Sequence, residues 1–80
     1  MRIDKFLKNS RIIKRRTIAK EACDGERVLV NGKVVKAGYE VEVGDEVQVI
    51  FGNSQINVRI LALIESCKKE DAVKMYEIIN

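Results

Sequence analysis

The chain has 80 residues, a formal net charge of +3, 46% hydrophobic and 34% charged residues, two cysteines, and neither histidine nor proline. We expect this length to form a single domain, over residues 1–80, with a modest core. The composition excludes a disordered or collagen-like chain. No apolar run approaches the roughly 20 residues that span a bilayer, and the amino end is charged where a signal peptide would be apolar. We therefore expect a cytoplasmic protein.

Positive charge is concentrated at the amino end of the chain. Residues 1–20 contain eight cations and a single acid, Asp4, whereas residues 21–80 contain seven cations and eleven acids. Such a polarised distribution indicates a polyanionic partner. The alternatives are a surface that only aids solubility and a protein-interaction surface for an acidic partner.

Two amphipathic helices are predicted in this basic stretch. The first covers residues 3–9, where Ile3, Phe6 and Leu7 share one side and cations recur along another. The second covers residues 16–24. Its predicted inward face consists of four apolar residues: Ile18, Ala19, Ala22 and Cys23.

A β-hairpin is predicted after the second helix, which we expect to end at Gly25 in a left-handed conformation. The pair Asn31-Gly32 separates two valine-rich runs within residues 28–35. Because both turn residues tolerate positive φ, this pair predicts a two-residue turn. Lys33 and Lys36 flank the turn and would extend the basic surface.

Two longer strands are predicted over residues 46–51 and 56–64, after a short alternating piece at Val41 and Val43. The inward side of the first strand is predicted to hold Val47, Val49 and Phe51. The inward side of the second is predicted to hold alternate residues: Ile56, Val58, Ile60 and Ala62. Short connections between such strands indicate a small, mostly antiparallel sheet.

A last helix is predicted over residues 67–79, with Ser66 as its N-cap and Glu70 and Asp71 in its first turn. Its apolar residues recur with helical spacing: Ala72, Met75, Tyr76 and Ile79. This helix would add apolar area to the core or, alternatively, contact a protein partner. The predicted fold class is therefore α+β, with two amino-terminal helices packed on the sheet and a carboxy-terminal helix.

Residues for catalysis or metal binding are missing from the pattern. The chain has no histidine, and its five glycines lie singly at turns rather than in phosphate-binding loops. Cys23 and Cys67 are too far apart in sequence for the close cysteine pairs of a zinc site. Because Cys23 lies on the apolar face of the second helix, we expect it to pack in the core. We therefore expect a binding protein with no catalytic residue, metal or cofactor.

The sequence resembles the S4-type RNA-binding domain, also called the αL motif. The resemblance covers about residues 1–51 and rests on four stretches: Arg2-Ile3-Asp4-Lys5-Phe6-Leu7; Arg16 with Ala19; Arg27-Val28-Leu29-Val30-Asn31-Gly32; and Tyr39-Glu40-Val41 with Gly44-Asp45-Glu46-Val47. It implies that the two helices and the hairpin form a concave basic surface for structured RNA, usually ribosomal RNA or tRNA. The strand and helix of about residues 56–79 would complete the domain.

Within this family the chain is similar to small stand-alone bacterial members, the RqcP-like proteins, over essentially its whole length. This similarity lies in residues 2–8, 12–21 and 68–72 and in Met75-Tyr76. It implies a protein that binds 23S ribosomal RNA and peptidyl-tRNA on obstructed large ribosomal subunits, with the protein RqcH as a partner in alanine tailing of stalled chains. Separately, the lack of a large apolar excess in the composition favours a monomer. The alternative is a generic S4-type ribosomal RNA- or tRNA-binding protein of ribosome recycling or assembly.

Two positions depart from the family pattern. Arg15 precedes Arg16 where many members have a serine or threonine that caps the second helix, and Gly25 and Glu26 shift the family's glycine by one residue. Arg2 and Arg16 match the family's RNA-contacting arginines. Charge and resemblance together predict ten RNA-binding residues: Arg2, Lys5, Lys8, Arg11, Lys14, Arg15, Arg16, Lys20, Lys33 and Lys36.

Overall fold

The computed structural model describes residues 1–65 and 68–79. Two short helices come first in the chain. The elements in chain order are α1 (Ile3–Asn9), α2 (Arg16–Asp24), β1 (Val28–Val30), β2 (Lys33–Val34), β3 (Glu46–Phe51), β4 (Ser54–Ile60), α3 (Lys69–Ala72) and β5 (Tyr76–Ile78). The predicted bounds of the first two helices are therefore confirmed. The predictions for Ser66 and Cys67 lie outside the described residues.

The strands form one antiparallel sheet in the order β2-β1-β3-β4-β5. Val28 pairs with Val49, and Val47 pairs with both Val30 and Val58, so alternate residues of three strands share one face. This face packs against α1 and α2. The cluster includes fully or almost fully buried side chains from both layers: Ile3, Phe6, Leu7, Ala19, Cys23, Val28, Val30, Val47, Val49, Val58 and Ile60. The predicted α+β fold class is confirmed.

The predicted hairpin joins β1 and β2. Asn31 and Gly32 both adopt positive φ, at 51° and 85°, as a two-residue turn requires. The Asn31 side chain does more than the sequence indicated. Its Nδ2 donates to Asp45 Oδ1 at 3.1 Å, and its Oδ1 accepts the Glu46 N–H at 3.0 Å. The side chain therefore ties the hairpin to the turn that precedes β3.

The end of α2 differs from the prediction. Gly25 has an ordinary φ of −85°, and Glu26 takes the left-handed conformation with φ of 62°. The Arg27 N–H donates to the Ala22 carbonyl at 2.9 Å and the Glu26 N–H donates to the Cys23 carbonyl at 3.1 Å. These two bonds are those of a Schellman motif, in which the residue after the C-cap is left-handed. Gly25 is the C-cap itself, so the left-handed conformation falls on Glu26.

Two apolar residues predicted to face inward are instead exposed. Ile18 and Phe51 are 47% and 45% exposed. The core-facing side of α2 consists of Ala19, Ala22 and Cys23, whose small side chains fill the space between the helix and its neighbours, and Ile18 lies outside it. Phe51 ends β3 at the turn into β4, where the core no longer covers it.

The predicted carboxy-terminal helix is shorter than expected. It ends at Ala72, and residues 76–78 form β5 instead of further helical turns. The strand pairs with β4, where Arg59 lies opposite Glu77 and Ile60 lies opposite Tyr76. An exposed edge of β4 would leave backbone groups unpaired. Pairing at this edge therefore outweighs the helical spacing of the apolar residues, although Met75 is buried as predicted.

The strand predicted over residues 56–64 begins earlier and ends at Ile60. The N–H groups of Leu61 and Ala62 donate to the Met75 carbonyl at 2.7 and 3.3 Å, which turns the chain away from the sheet.

None of the helices within residues 1–65 and 68–79 has the length and apolar content needed to cross a membrane.

Candidate nucleic-acid interface

Asp4 is the acid on which two of the predicted RNA-binding residues, Arg2 and Arg16, converge. Its side chain is only 3% exposed, in the first turn of α1. Its Oδ1 accepts the Lys5 N–H at 2.8 Å and lies 3.3 Å from Arg2 Nε, and its Oδ2 lies 3.4 Å from Arg16 Nε. A buried carboxylate is stable only with such partners. Two arginines from separate elements thus converge on one acid.

The loop after β2 positions the amino end of α1. The Ile3 N–H donates to the Tyr39 carbonyl at 2.8 Å, and Arg2 pairs with Glu40 in an isolated β-bridge. A Cβ added at Gly38 would lie 3.9 Å from Arg2 Nη2, so the guanidinium lies directly beside this glycine. Backbone hydrogen bonds, in addition to the Asp4 carboxylate, therefore fix the position of Arg2.

The amino end of α2 adds to the positive potential. Arg15 is its N-cap and makes no side-chain cap hydrogen bond, as its departure from the family pattern predicted, and the first turn contains no acid. The positive pole of the helix dipole lies at this end, so it repels the cations there. Asp4 from α1 offsets part of that repulsion through Arg16. Helix dipole and side chains together make this corner strongly attractive to anions.

A second group of cations surrounds the turn between the helices. A hollow of about 210 Å³ is lined by Lys8, Asn9, Arg11 and Lys14. Arg11 has a positive φ of 63°, and its N–H donates to the Lys8 carbonyl at 3.1 Å. Three predicted RNA-binding residues, Lys8, Arg11 and Lys14, therefore share one concave site.

This arrangement matches a known RNA-binding architecture. The family model described as the S4 domain matches residues 1–47, which include both helices, the hairpin and all ten predicted RNA-binding residues. The chain belongs to the S4 domain family. The resemblance stated from the sequence is therefore confirmed.

Relatives of this S4 domain cover its whole length. The protein named RQC P-site tRNA stabilizing factor in Streptococcus pneumoniae (strain R6) is 52% identical over 80 residues, which are all of this chain and 91% of the relative. The protein of the same name in Bacillus subtilis (strain 168) is 49% identical, over all of this chain and 93% of the relative. The structure of Vibrio cholerae heat shock protein 15, described as trimeric, has a TM-score of 0.91 and 25% identity, and the match covers 99% of this chain and 81% of that one.

Lys5 pairs with an acid that lies beyond the part of the chain matched by the S4 domain model. Its Nζ forms an ion pair with Glu65, in the segment that follows β4. The hydrogen bond from Lys5 and its positive charge lower the pKa of the Glu65 carboxyl. Lys5 is therefore already engaged by an acid of the same chain.

The remaining four predicted residues are exposed and dispersed. Arg15 and Lys20 belong to the start and the outer side of α2, and Lys33 and Lys36 lie in and after β2. Within residues 1–65 and 68–79, none of the four makes an ion pair. The structure thus brings five predicted residues into two groups and leaves these four as separate surface charges.

Two polar residues that sequence reasoning did not single out hold this surface in shape. Asn9 is buried, and its Nδ2 donates to the carbonyls of Ile64 and Glu65 at 3.0 and 3.3 Å. The buried Ser10 hydroxyl donates to the Leu7 carbonyl at 3.2 Å. Adjacent small polar residues at the end of an amphipathic helix were the available signal, because buried polar groups need partners.

A larger hollow, of about 510 Å³, lies on the sheet and contains none of the ten predicted residues. Asn31, Glu46, Gln48 and Asn57 are among the residues that line it, and the only formal charge among its described lining residues is that of Glu46. Phosphate groups would find no cation among them. The hollow is therefore separate from the basic surface.

Cys23 lies in the core close to Asp4. Burial raises the pKa of its thiol to about 11, and the negative charges of Asp4 and Asp24 contribute in the same direction. A thiol of this kind stays protonated and unreactive at neutral pH. The prediction that Cys23 packs in the core is confirmed, since its exposure is 0%.

Proposed function

We propose that this chain is a non-enzymatic RNA-binding factor of bacterial ribosome-associated quality control. In this proposal it binds 23S ribosomal RNA and peptidyl-tRNA on large subunits that carry an obstructed nascent chain. It holds that tRNA in the P site while RqcH extends the stalled product with alanine. The observation that carries the proposal is the similarity, over the full chain, to proteins named RQC P-site tRNA stabilizing factor. The site of action would be the cytoplasm.

The geometry of the basic surface supports an RNA partner. Guanidinium groups can donate two parallel hydrogen bonds to a phosphate, whereas lysines act as mobile point charges. Arg2 and Arg16 are about half exposed, so part of each group faces solvent. Lys8, Arg11 and Lys14 line a concave site nearby in sequence. Together these residues would contact phosphates at more than one point along a folded RNA.

Recognition would depend on RNA shape and phosphate positions rather than on base stacking. The chain has only four aromatic residues. Phe6 is fully buried, and Tyr39 is 42% exposed beside the amino end of α1. Proteins that bind single strands without structure use several exposed aromatic side chains as stacking platforms. A folded RNA such as tRNA or a ribosomal RNA helix fits this surface better.

The proposal is tested by sedimentation with large ribosomal subunits that carry P-site peptidyl-tRNA. We expect Arg2→Ala and Arg16→Ala each to abolish co-sedimentation while the circular dichroism spectrum stays unchanged. Arg59→Ala is the matched control, because Arg59 lies on β4 and pairs with Glu46 and Glu77, away from the ten predicted residues. Co-sedimentation retained by both amino-terminal variants would contradict the proposal.

A second candidate is a ribosome-binding factor of the heat-shock type. The TM-score of 0.91 with Vibrio cholerae heat shock protein 15 favours it. Crosslinking in living cells, followed by sequencing of the attached RNA, separates the two candidates. The quality-control role requires tRNA among the crosslinked species and a loss of alanine tails when the gene is deleted. Crosslinks to ribosomal RNA alone, with tailing intact, would favour the second candidate.

A further inference from the structure

The acid that Arg2 and Arg16 share, Asp4, is buried rather than exposed. Asp4 is the only acid among the first 20 residues, and its carboxylate lies between two cations that are predicted to bind phosphate. A negative group at this position lowers the positive potential that an anionic partner would meet. If charge alone governed binding, Asp4 would oppose it.

The contacts of Asp4 indicate a different effect. Both arginines meet the carboxylate through Nε, and Arg2 adds a hydrogen bond from Nη2 to Oδ2 at 3.4 Å. A guanidinium has five N–H donors in a rigid plane, so contacts at the Nε edge leave other donors on Nη free. The carboxylate therefore fixes the plane of each group while donors stay available for a second anion.

The two arginines also depend on Asp4 to lie near each other. Arg2 precedes α1 and Arg16 begins α2, so no local backbone geometry couples their side chains. Two cations that approach one acid would repel each other without it. Long side chains without a fixed partner lose rotamer freedom when they bind, which weakens binding.

We propose that Asp4 is a positioning residue for RNA binding, which holds Arg2 and Arg16 as a preorganised pair that grips adjacent phosphates of one RNA strand. The inference rests on the proposed function. It predicts an effect opposite in sign to simple electrostatics: neutralising Asp4 raises the net positive charge of the chain and nevertheless weakens RNA binding.

The first experiment compares Asp4→Asn with Asp24→Asn, which removes an exposed acid at the end of α2. Affinity for large subunits that carry peptidyl-tRNA is measured at several salt concentrations. Asparagine keeps an oxygen that can accept the Lys5 N–H. We expect Asp4→Asn to bind about ten-fold more weakly, with a salt slope that is smaller by about 0.7 to 0.9 for each phosphate that the variant no longer neutralises. Asp24→Asn should bind as well as the original chain or slightly better.

A second pair of variants leaves the buried carboxylate in place. Arg16→Lys keeps the charge but removes the rigid Nε–Nη fork, whereas Arg59→Lys makes the same change on β4, at a residue outside the ten predicted to bind RNA. We expect a loss of about ten-fold for Arg16→Lys and less than about two-fold for Arg59→Lys. These variants decide the question if Asp4→Asn does not fold.

The outcomes separate the two proposals. If the original chain binds and Asp4→Asn is folded but binds equally well or more tightly, the positioning role is wrong and the proposed function stands. Equal losses for Arg16→Lys and Arg59→Lys would also overturn the positioning role. Failure of the original chain to bind large subunits would overturn the proposed function and this inference with it.

Discussion

At the scale of one residue, the motif that ends α2 requires Glu26 to adopt a left-handed backbone conformation. Its φ of 62° lies in the left-handed region, which costs a residue with a Cβ roughly 1–2 kcal/mol. The Schellman hydrogen bonds to Ala22 and Cys23 hold it there. The adjacent Gly25, which would tolerate this conformation, does not adopt it.

Replacing Glu26 by glycine should therefore stabilise the protein. Glycine removes the left-handed strain but adds flexibility to the unfolded chain, so we expect a net gain of about 0.5–1 kcal/mol in the free energy of unfolding. Chemical denaturation measures it. Gly25→Ala is the control and should give no comparable gain, because Gly25 already has a negative φ and its added Cβ would lie 3.1 Å from the Glu21 carbonyl oxygen. An equal gain from the two changes, or a loss of stability in Glu26→Gly, would contradict this reasoning.

Cys23 gives a pH dependence at the same scale. Its folded-state pKa is about 11 against an ordinary value of 9.0, so the folded protein favours the protonated thiol. The resulting stability is fully present below pH 9 and is lost as pH rises towards 11, by about 2–3 kcal/mol in total. The measurement is the pH profile of unfolding free energy, compared with that of Cys23→Ala. Parallel profiles between pH 9 and 11 would show that the thiol does not contribute.

At the scale of elements, the sheet and α1 are joined by the segment that follows β4. Residues 61–65 belong to no helix or strand, yet Asn9 donates to two of their carbonyls and Lys5 pairs with Glu65. The same segment is held at its start by the Met75 carbonyl. Residues 61–65 therefore connect α1 to the carboxy-terminal part of the chain.

Asn9→Ala should uncouple this segment from α1. The change leaves two carbonyls without their donor, so we expect a loss of about 1–3 kcal/mol in stability and faster amide hydrogen exchange in residues 61–65. Asn53→Ala, in the exposed turn between β3 and β4, is the control and should have an effect within about 0.5 kcal/mol. A silent Asn9→Ala would mean that the segment is held by other contacts.

At the scale of the whole molecule, five cations of the amino-terminal stretch collect in two groups. Arg2 and Arg16 converge, and Lys8, Arg11 and Lys14 share a hollow. In the part of the chain that the structure describes, the acids paired with predicted RNA-binding residues are Asp4 and Glu65. The larger hollow on the sheet has no cation among its described lining residues. The cations of these two groups are therefore absent from the lining of the larger hollow.

This distribution predicts strong salt dependence of binding. If about six phosphates are neutralised, the slope of log affinity against log salt is about −4 to −5, and affinity falls several hundred-fold between 50 and 200 mM salt. The measurement is binding to peptidyl-tRNA-bearing large subunits at constant magnesium concentration. Arg59→Ala should leave the slope unchanged. A slope near zero would exclude phosphate contacts as the main source of affinity.

The sequence alone determined the features that depend on neighbouring residues. The spacing of apolar residues fixed the bounds of α1 and α2, and Asn31-Gly32 fixed the hairpin, because backbone conformations of this kind are set within a few residues. Charge separation and the family resemblance also come from the sequence. These features already located the basic surface.

Only the tertiary structure decided which groups meet across the chain. The convergence of Arg2 and Arg16 on Asp4 and the ion pair between Lys5 and Glu65 join residues that no local spacing relates. Ala72, Met75, Tyr76 and Ile79 have a helical spacing, yet residues 76–78 form a strand because β4 offers unpaired backbone groups at its edge. Long-range pairing and burial outweigh local preference wherever a polar group would otherwise lack a partner, and a one-dimensional pattern contains no information about that partner.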